Sequence, residues 1–241
     1  FWFTQLELGH RMEKVRLEHI INMTRTAIPQ HKEVLKKVSE ESAETEALVH
    51  YLARSGCYPI YDKTDVTYFP SGEAKFAELL IQLEQAKDFI FLEYFIIEEG
   101  IMWGRILQIL AKKAEEGVEV RLMYDGTCES SLLPHDYPRR LAELGIKCKM
   151  FAPVTPFLST HYNYRDHRKI VVIDGKVAFT GGVNLADEYI NHKVRFGHWK
   201  DTAVMLKGEA VRSFTLMFLQ MWHIVDRKAQ YDRYLAAPCR A

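Results

Sequence analysis

Apolar residues recur along the chain with two periods. After Ser71-Gly72-Glu73, residues Phe76, Leu79, Leu80 and Leu83 follow helical spacing. Residues 89–97 then form a nearly continuous apolar run rich in aromatic and β-branched side chains, the pattern of a strand buried on both faces. Ile106, Leu107, Leu110 and Ala114 mark a second helix, closed by Gly117, and Val118, Val120, Leu122 and Tyr124 alternate as a strand. A short helix over 139–144 ends at Gly145, and Ile146, Cys148 and Met150 alternate again. This β-α-β-α-β order predicts a largely parallel sheet covered by helices.

The rhythm then changes. Residues 169–173 and 177–180 read as strands separated by Asp174-Gly175-Lys176, a hairpin turn. A further strand over 202–206 precedes Lys207-Gly208, and an apolar helix follows over 210–225. The expected fold class is therefore α/β, a mixed β-sheet flanked by helices on both faces. Ahead of it, residues 4–55 are highly charged and helical in pattern, broken at Pro29 and ended by Gly56 at a C-cap position. The expected organisation is an N-terminal helical segment over 1–56 and a catalytic domain over 57–241.

Composition narrows the function. The 241 residues are 48% hydrophobic and 27% charged, enough for one sizeable core. Lys plus Arg and Asp plus Glu are 32 each, so the whole-protein basic footprint of a nucleic-acid binder is absent, and nucleic acid is not an expected partner. Cys57, Cys128, Cys148 and Cys239 form no CxxC pair and are expected as reduced thiols. No apolar run approaches the ~18 residues that cross a bilayer. The chain begins at Phe1 rather than Met, which is expected of part of a longer polypeptide. Phe1-Trp2-Phe3 reads either as the trailing edge of a membrane segment or as a buried terminus. The spacings of the ten histidines match no common metal-ligand motif.

The chemistry concentrates in Tyr164-Arg165-Asp166-His167-Arg168-Lys169, four apolar residues, Asp174-Gly175, then Gly181-Gly182-Val183-Asn184. On a strand, His167 and Lys169 point to one face. An imidazole there can attack phosphorus while an ammonium neutralises the non-bridging oxygens. Gly182 allows close backbone approach, and Asn184 can donate amide hydrogens to the same oxygens. Glu93 lies inside the apolar run, where a carboxylate needs a partner or a polar site. It is expected to face the phosphate site, with an ion pair to a nearby Arg or Lys as the alternative. Asp174, though part of HxK(x4)D, is expected to be structural. Seven residues from His167, it points to the opposite face of a regular strand and roughly 23 Å along it. It also opens a turn, where Asp bonds local backbone.

These residues resemble the phospholipase D superfamily, and within it the N-terminal catalytic half of bacterial cardiolipin synthases. Supporting strings are Gly72-Glu73-Ala74-Lys75-Phe76, Leu92-Glu93-Tyr94-Phe95, Gly117-Val118-Glu119-Val120-Arg121, Asn163-Tyr164-Arg165-Asp166-His167-Arg168-Lys169 and Trp199-Lys200-Asp201. Asp125-Gly126-Thr127-Cys128 and Thr202-Ala203 depart from the synthase pattern. The resemblance implies a phosphohistidine on His167, or alternatively His167 as the general acid, with Lys169 on the phosphate and Arg165 a further substrate contact. It carries to Asp201 the role of orienting His167, as an acid does in related nucleases. It implies phosphatidylglycerol as donor and acceptor, no ATP, metal or other cofactor, and a second HKD domain in cis or from a homodimer. It places the enzyme on the cytoplasmic side of the cell membrane, with a membrane segment upstream. A water-using phospholipase D, a homodimeric nuclease and a non-catalytic phosphate-binding half are the alternatives.

Overall fold

The computed structural model describes residues 14–56, 58–130, 132–134, 136–153, 165–224 and 230–235. Phe1-Trp2-Phe3, Cys57, Asn163, Tyr164, Val225 and Cys239 lie outside them. The chain divides into two compact units, Phe1–Asp65 with Lys207–Ala241, and Val66–Leu206. The first unit thus differs from the expected boundary after residue 56, because residues from both ends of the chain pack together. Ile28 clusters with Leu216 and Leu235. Gln220 Nε2 donates to Thr24 Oγ1 at 2.8 Å, and Tyr58 donates to Gln220 Oε1 at 3.0 Å. Its helices are α1 over residues 14–23, α2 Lys32–Glu41 and α3 Ala43–Gly56, with Pro29 in the break between α1 and α2.

The remaining elements are β1 Thr64–Phe69, α4 Gly72–Glu84, β2 Phe89–Tyr94, α5 Ile101–Glu115, β3 Glu119–Asp125, α6 Tyr137–Glu143, β4 Lys147–Phe151, β5 Ile170–Ile173, β6 Val177–Gly181, β7 Ala203–Gly208, α7 Val211–Trp222 and α8 Asp232–Leu235. The seven strands are ordered β1-β7-β6-β5-β2-β3-β4. The sheet is mixed as expected. β2 runs parallel to β3, and β3 to β4, while β5 is antiparallel to both β2 and β6.

Alternation along the strands sorts side chains to two faces. Ile90, Leu92 and Tyr94, Val120, Leu122 and Tyr124, Val171 and Ile173, and Val177 and Phe179 share one core with Leu79, Leu83, Met102, Trp103, Ile106, Leu110 and Leu141 of the helices. The other face of β2 and β3 is buried too, as all six β2 residues are. That double burial explains the unbroken apolar run. Ser71 caps α4 by accepting from the Ala74 amide at 3.3 Å. The strand β1 has no counterpart in the sequence pattern, because its residues are mostly exposed and so carry no apolar period. Among the described residues no helix is long and apolar enough to cross a membrane.

Candidate active site

The site is built around the short strand β5. At one end Asp174 opens the turn with φ 53°, followed by Gly175 at 63°. These two positive φ values close a tight turn in which the Lys176 amide donates to the Ile173 carbonyl at 2.9 Å, so that Ile173 pairs with Val177 across it. The Asp174 carboxylate accepts three backbone hydrogen bonds, from Lys87, Asp88 and Phe89, at 2.8–2.9 Å. The turn is thereby fastened to the start of β2. Pairing then runs from Ile90 opposite Ile173 to Glu93 opposite Ile170. Asp174 therefore sets the register that brings residues 167–169 to the far end of β2. Its bonds reach a neighbouring strand rather than its own turn, which is where the structure departs from the local bonding expected of it.

At that far end the strand begins at Ile170, so His167 and Lys169 lie in the segment leading into it. They still share a side. The His167 ring lies 4.8 Å from the Phe95 ring, and Lys169 Nζ is 5.3 Å from the same ring's centroid. Lys169 Nζ also donates to the His167 carbonyl at 2.6 Å. The lysine is 5% exposed, whereas His167 is exposed. Burial pushes the Lys169 ammonium below its ordinary value, and Asp166 and Asp201 act against that shift. An accessible imidazole thus stands beside a largely sequestered ammonium.

The Gly181-Gly182 turn serves the chain beside it. A side chain on Gly181 would meet the Thr202 carbonyl at 2.4 Å, and one on Gly182 would meet Asp201 Oδ1 at 1.9 Å. Gly182 also donates to the Thr202 carbonyl at 3.0 Å. These contacts hold Asp201 within electrostatic reach of Lys169. The expected bond from Asp201 to His167 is not formed. Asp201 Oδ1 instead accepts from the Thr202 amide at 2.8 Å, and the His167 ring has no acid partner among the described residues. His167 itself precedes the strand, which starts three residues later at Ile170.

Asn184 is also committed elsewhere. Its Oδ1 accepts from the Ile96 amide at 3.0 Å and its Nδ2 donates to Tyr189 Oη at 2.8 Å. With the Ile97–Leu185 bridge, it ties the loop after β6 to the chain leaving β2. The amide expected to hold phosphate directly is thus 2% exposed and bonded within the protein. Tyr189, which no sequence pattern marked, carries the hydroxyl at the end of this connection.

Glu93 departs from its expected direction. It is fully buried, and Arg168 Nη2 stands 2.7 Å from its Oε1, off the line of a hydrogen bond. Burial pushes the Glu93 carboxyl well above the usual carboxylate range; Arg168 opposes this and Asp166 adds to it. Arg168 Nε donates to Asp166 Oδ1 at 3.0 Å. Glu93 therefore supports the motif through Arg168, the alternative a buried carboxylate allowed. Arg165 is likewise held, donating to the Ala152 carbonyl at 2.7 Å and lying 3.4 Å from Asp125 Oδ1. Asp125, at the end of β3, takes the Asp166 amide at 3.2 Å and both the amide and hydroxyl of Thr127 at 2.9 Å. The Asp-Gly-Thr departure is thus an anchor for the residues preceding His167. Among the described residues no group of three His, Cys, Asp or Glu side chains could hold a metal ion. Cys128 and Cys148 are free thiols.

A family model described as the phospholipase D-like domain of cardiolipin synthase matches residues 79–222. This chain belongs to that family. A cardiolipin synthase of Alkalihalophilus pseudofirmus is 40% identical over 194 residues, 80% of this chain and 38% of that protein. One from Geobacillus thermodenitrificans is 38% identical over 193 residues, 79% of this chain and 38% of that protein. An uncharacterized protein of Streptococcus mutans serotype c is 55% identical over 233 residues, covering 97% of this chain and 50% of that one. The chain spans half or less of the length of these relatives. The crystal structure of phosphatidylserine synthase from Haemophilus influenzae matches with a TM-score of 0.53 at 12% identity, over 71% of this chain and 41% of that one, a likeness of fold.

Proposed function

We propose that the protein transfers phosphatidyl groups through a phosphohistidine, making cardiolipin from two phosphatidylglycerol molecules. The observation that carries this is the exposed His167 imidazole standing with the buried Lys169 ammonium on one aromatic ring, in a chain 40% identical to a cardiolipin synthase. A ring nitrogen of His167 attacks phosphorus and the phosphorus–oxygen bond to glycerol breaks. The departing alkoxide takes a proton from a second histidine, supplied by another HKD copy. The hydroxyl of a second phosphatidylglycerol then attacks phosphorus, giving its proton to the second histidine, and the phosphorus–nitrogen bond breaks to return the imidazole. Lys169 balances charge on the non-bridging oxygens throughout. Bonds are exchanged one for one, so no energy-rich cofactor is called for.

The two-copy requirement follows from in-line displacement, which needs groups on opposite sides of phosphorus. Full-length protein incubated with phosphatidylglycerol should release glycerol and cardiolipin in equal amounts, read by mass spectrometry. Phosphatidic acid as the main product would mean that water is the acceptor. No loss of phosphatidylglycerol would overturn the reading.

A further inference from the structure

We propose that the loop over residues 191–200 is a bilayer-contacting wedge that seats the phosphoryl-transfer site on an anionic lipid surface. This rests on the phosphatidyl-transfer reading, since a soluble substrate needs no bilayer contact.

Val194 and Phe196 are 79% and 78% exposed, the most exposed large apolar side chains among the described residues. Apolar tips in water are ordinarily drawn inward by local collapse, yet this loop is closed by a polar clamp. Asn191, with φ 54°, accepts from the Trp199 amide through Oδ1 at 2.6 Å and donates to the Trp199 carbonyl through Nδ2 at 2.9 Å. The same Nδ2 lies 2.7 Å from Glu73 Oε1. One side chain thus holds both ends of the loop together and to α4, the arrangement of a compact surface loop. Trp199 packs on Tyr189 at 4.9 Å and fixes the base from inside. The Phe196 ring lies 6.2 Å from the Trp199 ring, yet its side chain stays largely in solvent.

The charges complete the pattern. Residues 191–200 contain Lys193, Arg195, Lys200, His192 and His198 and no acid. Lys193 is paired with Glu98 at 2.5 Å and Arg195 with Glu188 at 3.1 Å, so these cations are pinned beside the apolar tip. The Arg195 guanidinium lies 5.3 Å from the Phe196 ring centroid. Lys200 is exposed and has no acidic partner among the described residues. Apolar side chains that protrude beside the exposed Lys200, with Lys193 and Arg195 held at the rim by their carboxylate partners, match the headgroup boundary of an anionic bilayer, with phosphates outside and acyl chains within. The next residue, Asp201, acts on Lys169. Asp201 also lies against Gly182, so the C-terminal end of the loop runs directly into the chain beside the site.

The test uses full-length protein carrying F196W and vesicles of mixed phosphatidylglycerol and phosphatidylcholine. The added tryptophan emission, taken as the difference from unsubstituted protein, should be quenched by lipids brominated near the top of the acyl chain. It should not be quenched in pure phosphatidylcholine vesicles at moderate salt. Absence of quenching in the mixed vesicles, or an emission change with single-stranded DNA and none with vesicles, overturns the proposal. In a second arm, V194D/F196D should raise KM for vesicular phosphatidylglycerol at least ~fivefold while leaving turnover of a monomeric short-chain phosphatidylglycerol within about twofold. Equal effects on both substrates would overturn it. Quenching without any turnover would keep the wedge and remove the transferase reading, because insertion is measured without chemistry.

Discussion

Lys169 donates from its ammonium to the backbone carbonyl of His167, 2.6 Å away. The two residues are thereby joined by a bond that involves no imidazole atom. One of the three ammonium hydrogens fixes the backbone that carries the histidine, and two are left for phosphate oxygens. Replacing the lysine therefore has two consequences, loss of charge at the phosphate and loss of the tether.

His167→Asn should abolish turnover, by more than ~10⁴-fold, because a nucleophile is lost and not only an acid–base contribution. The side chain is exposed, so thermal stability should stay within about 0.5 kcal/mol of the starting protein. Lys169→Met should lower kcat by roughly 10²–10³-fold, and Lys169→Arg should not restore it, because an extended guanidinium cannot keep the His167 carbonyl bond in the same space. Initial rates and melting curves on the same preparations check both.

Asp174→Ala should behave in the opposite manner. Three backbone amides lose a charged acceptor, each bond worth about 1.5–3 kcal/mol before relaxation and water recover part of it. A net loss of about 3–5 kcal/mol should lower Tm by roughly 10 °C. The fraction that remains folded at low temperature should turn over at near the original rate per molecule. Activity titrated against folded protein separates this from a chemical defect.

The paired glycines separate backbone strain from site geometry. Gly181→Ala drives a carbon into the Thr202 carbonyl and the Ala203 backbone at a φ of 149°, and should cost stability first. For Gly182→Ala the three nearest atoms belong to the carboxylate of Asp201, a side chain that can turn away. It should leave the melt nearly unchanged and lower kcat by moving that charge relative to Lys169. Equal melts for the two variants would contradict the assignment.

Lys75 gives a pH signature. It is buried in α4, donates to Tyr94 Oη at 2.8 Å, and desolvation pulls its ammonium down to about 7. An unfolded lysine holds its proton to about 10.4. Between these values the unfolded chain binds more protons, so stability rises with pH through that window and the cost is fully present below about 7. The stability difference between the native protein and Lys75→Met should therefore grow in favour of the native protein by up to ~1.4 kcal/mol per pH unit from pH 7 to 10. A flat difference, measured by denaturant unfolding, would show that the lysine keeps its proton in the fold.

Legibility in the sequence followed periodicity. β2, β3, β4 and the helices between them are readable because each buries a face, and the turn at Asp174 is readable from its Asp-Gly pair, whereas the carboxylate's bonds to Lys87, Asp88 and Phe89 are not. β1 is not, since an edge strand with exposed residues has no apolar rhythm. The site was readable in composition but not in connection. His167 and Lys169 do meet on one side, through Phe95, an aromatic residue that alternation alone would class as core. Chemistry points Asn184 and Glu93 to the phosphate site and the resemblance points Arg165 to substrate, yet each is bonded or paired inside the protein. Polar groups needed to hold a loop look the same in sequence as polar groups needed to hold a phosphate. The Asp201 expectation came from the resemblance, and in the structure its Oδ1 is taken by the Thr202 amide.

The four apolar residues Ile170–Ile173 give the signature its spacing. One end of this strand is bolted by Asp174 to the start of β2, and the other presents Lys169, so its length works as a gauge block between anchor and tool. An inserted residue would turn Lys169 and the side chains before it to the wrong side. Two would restore the side but carry the ammonium about 6.6 Å past Phe95. The x4 of the motif is, on this view, a dimension.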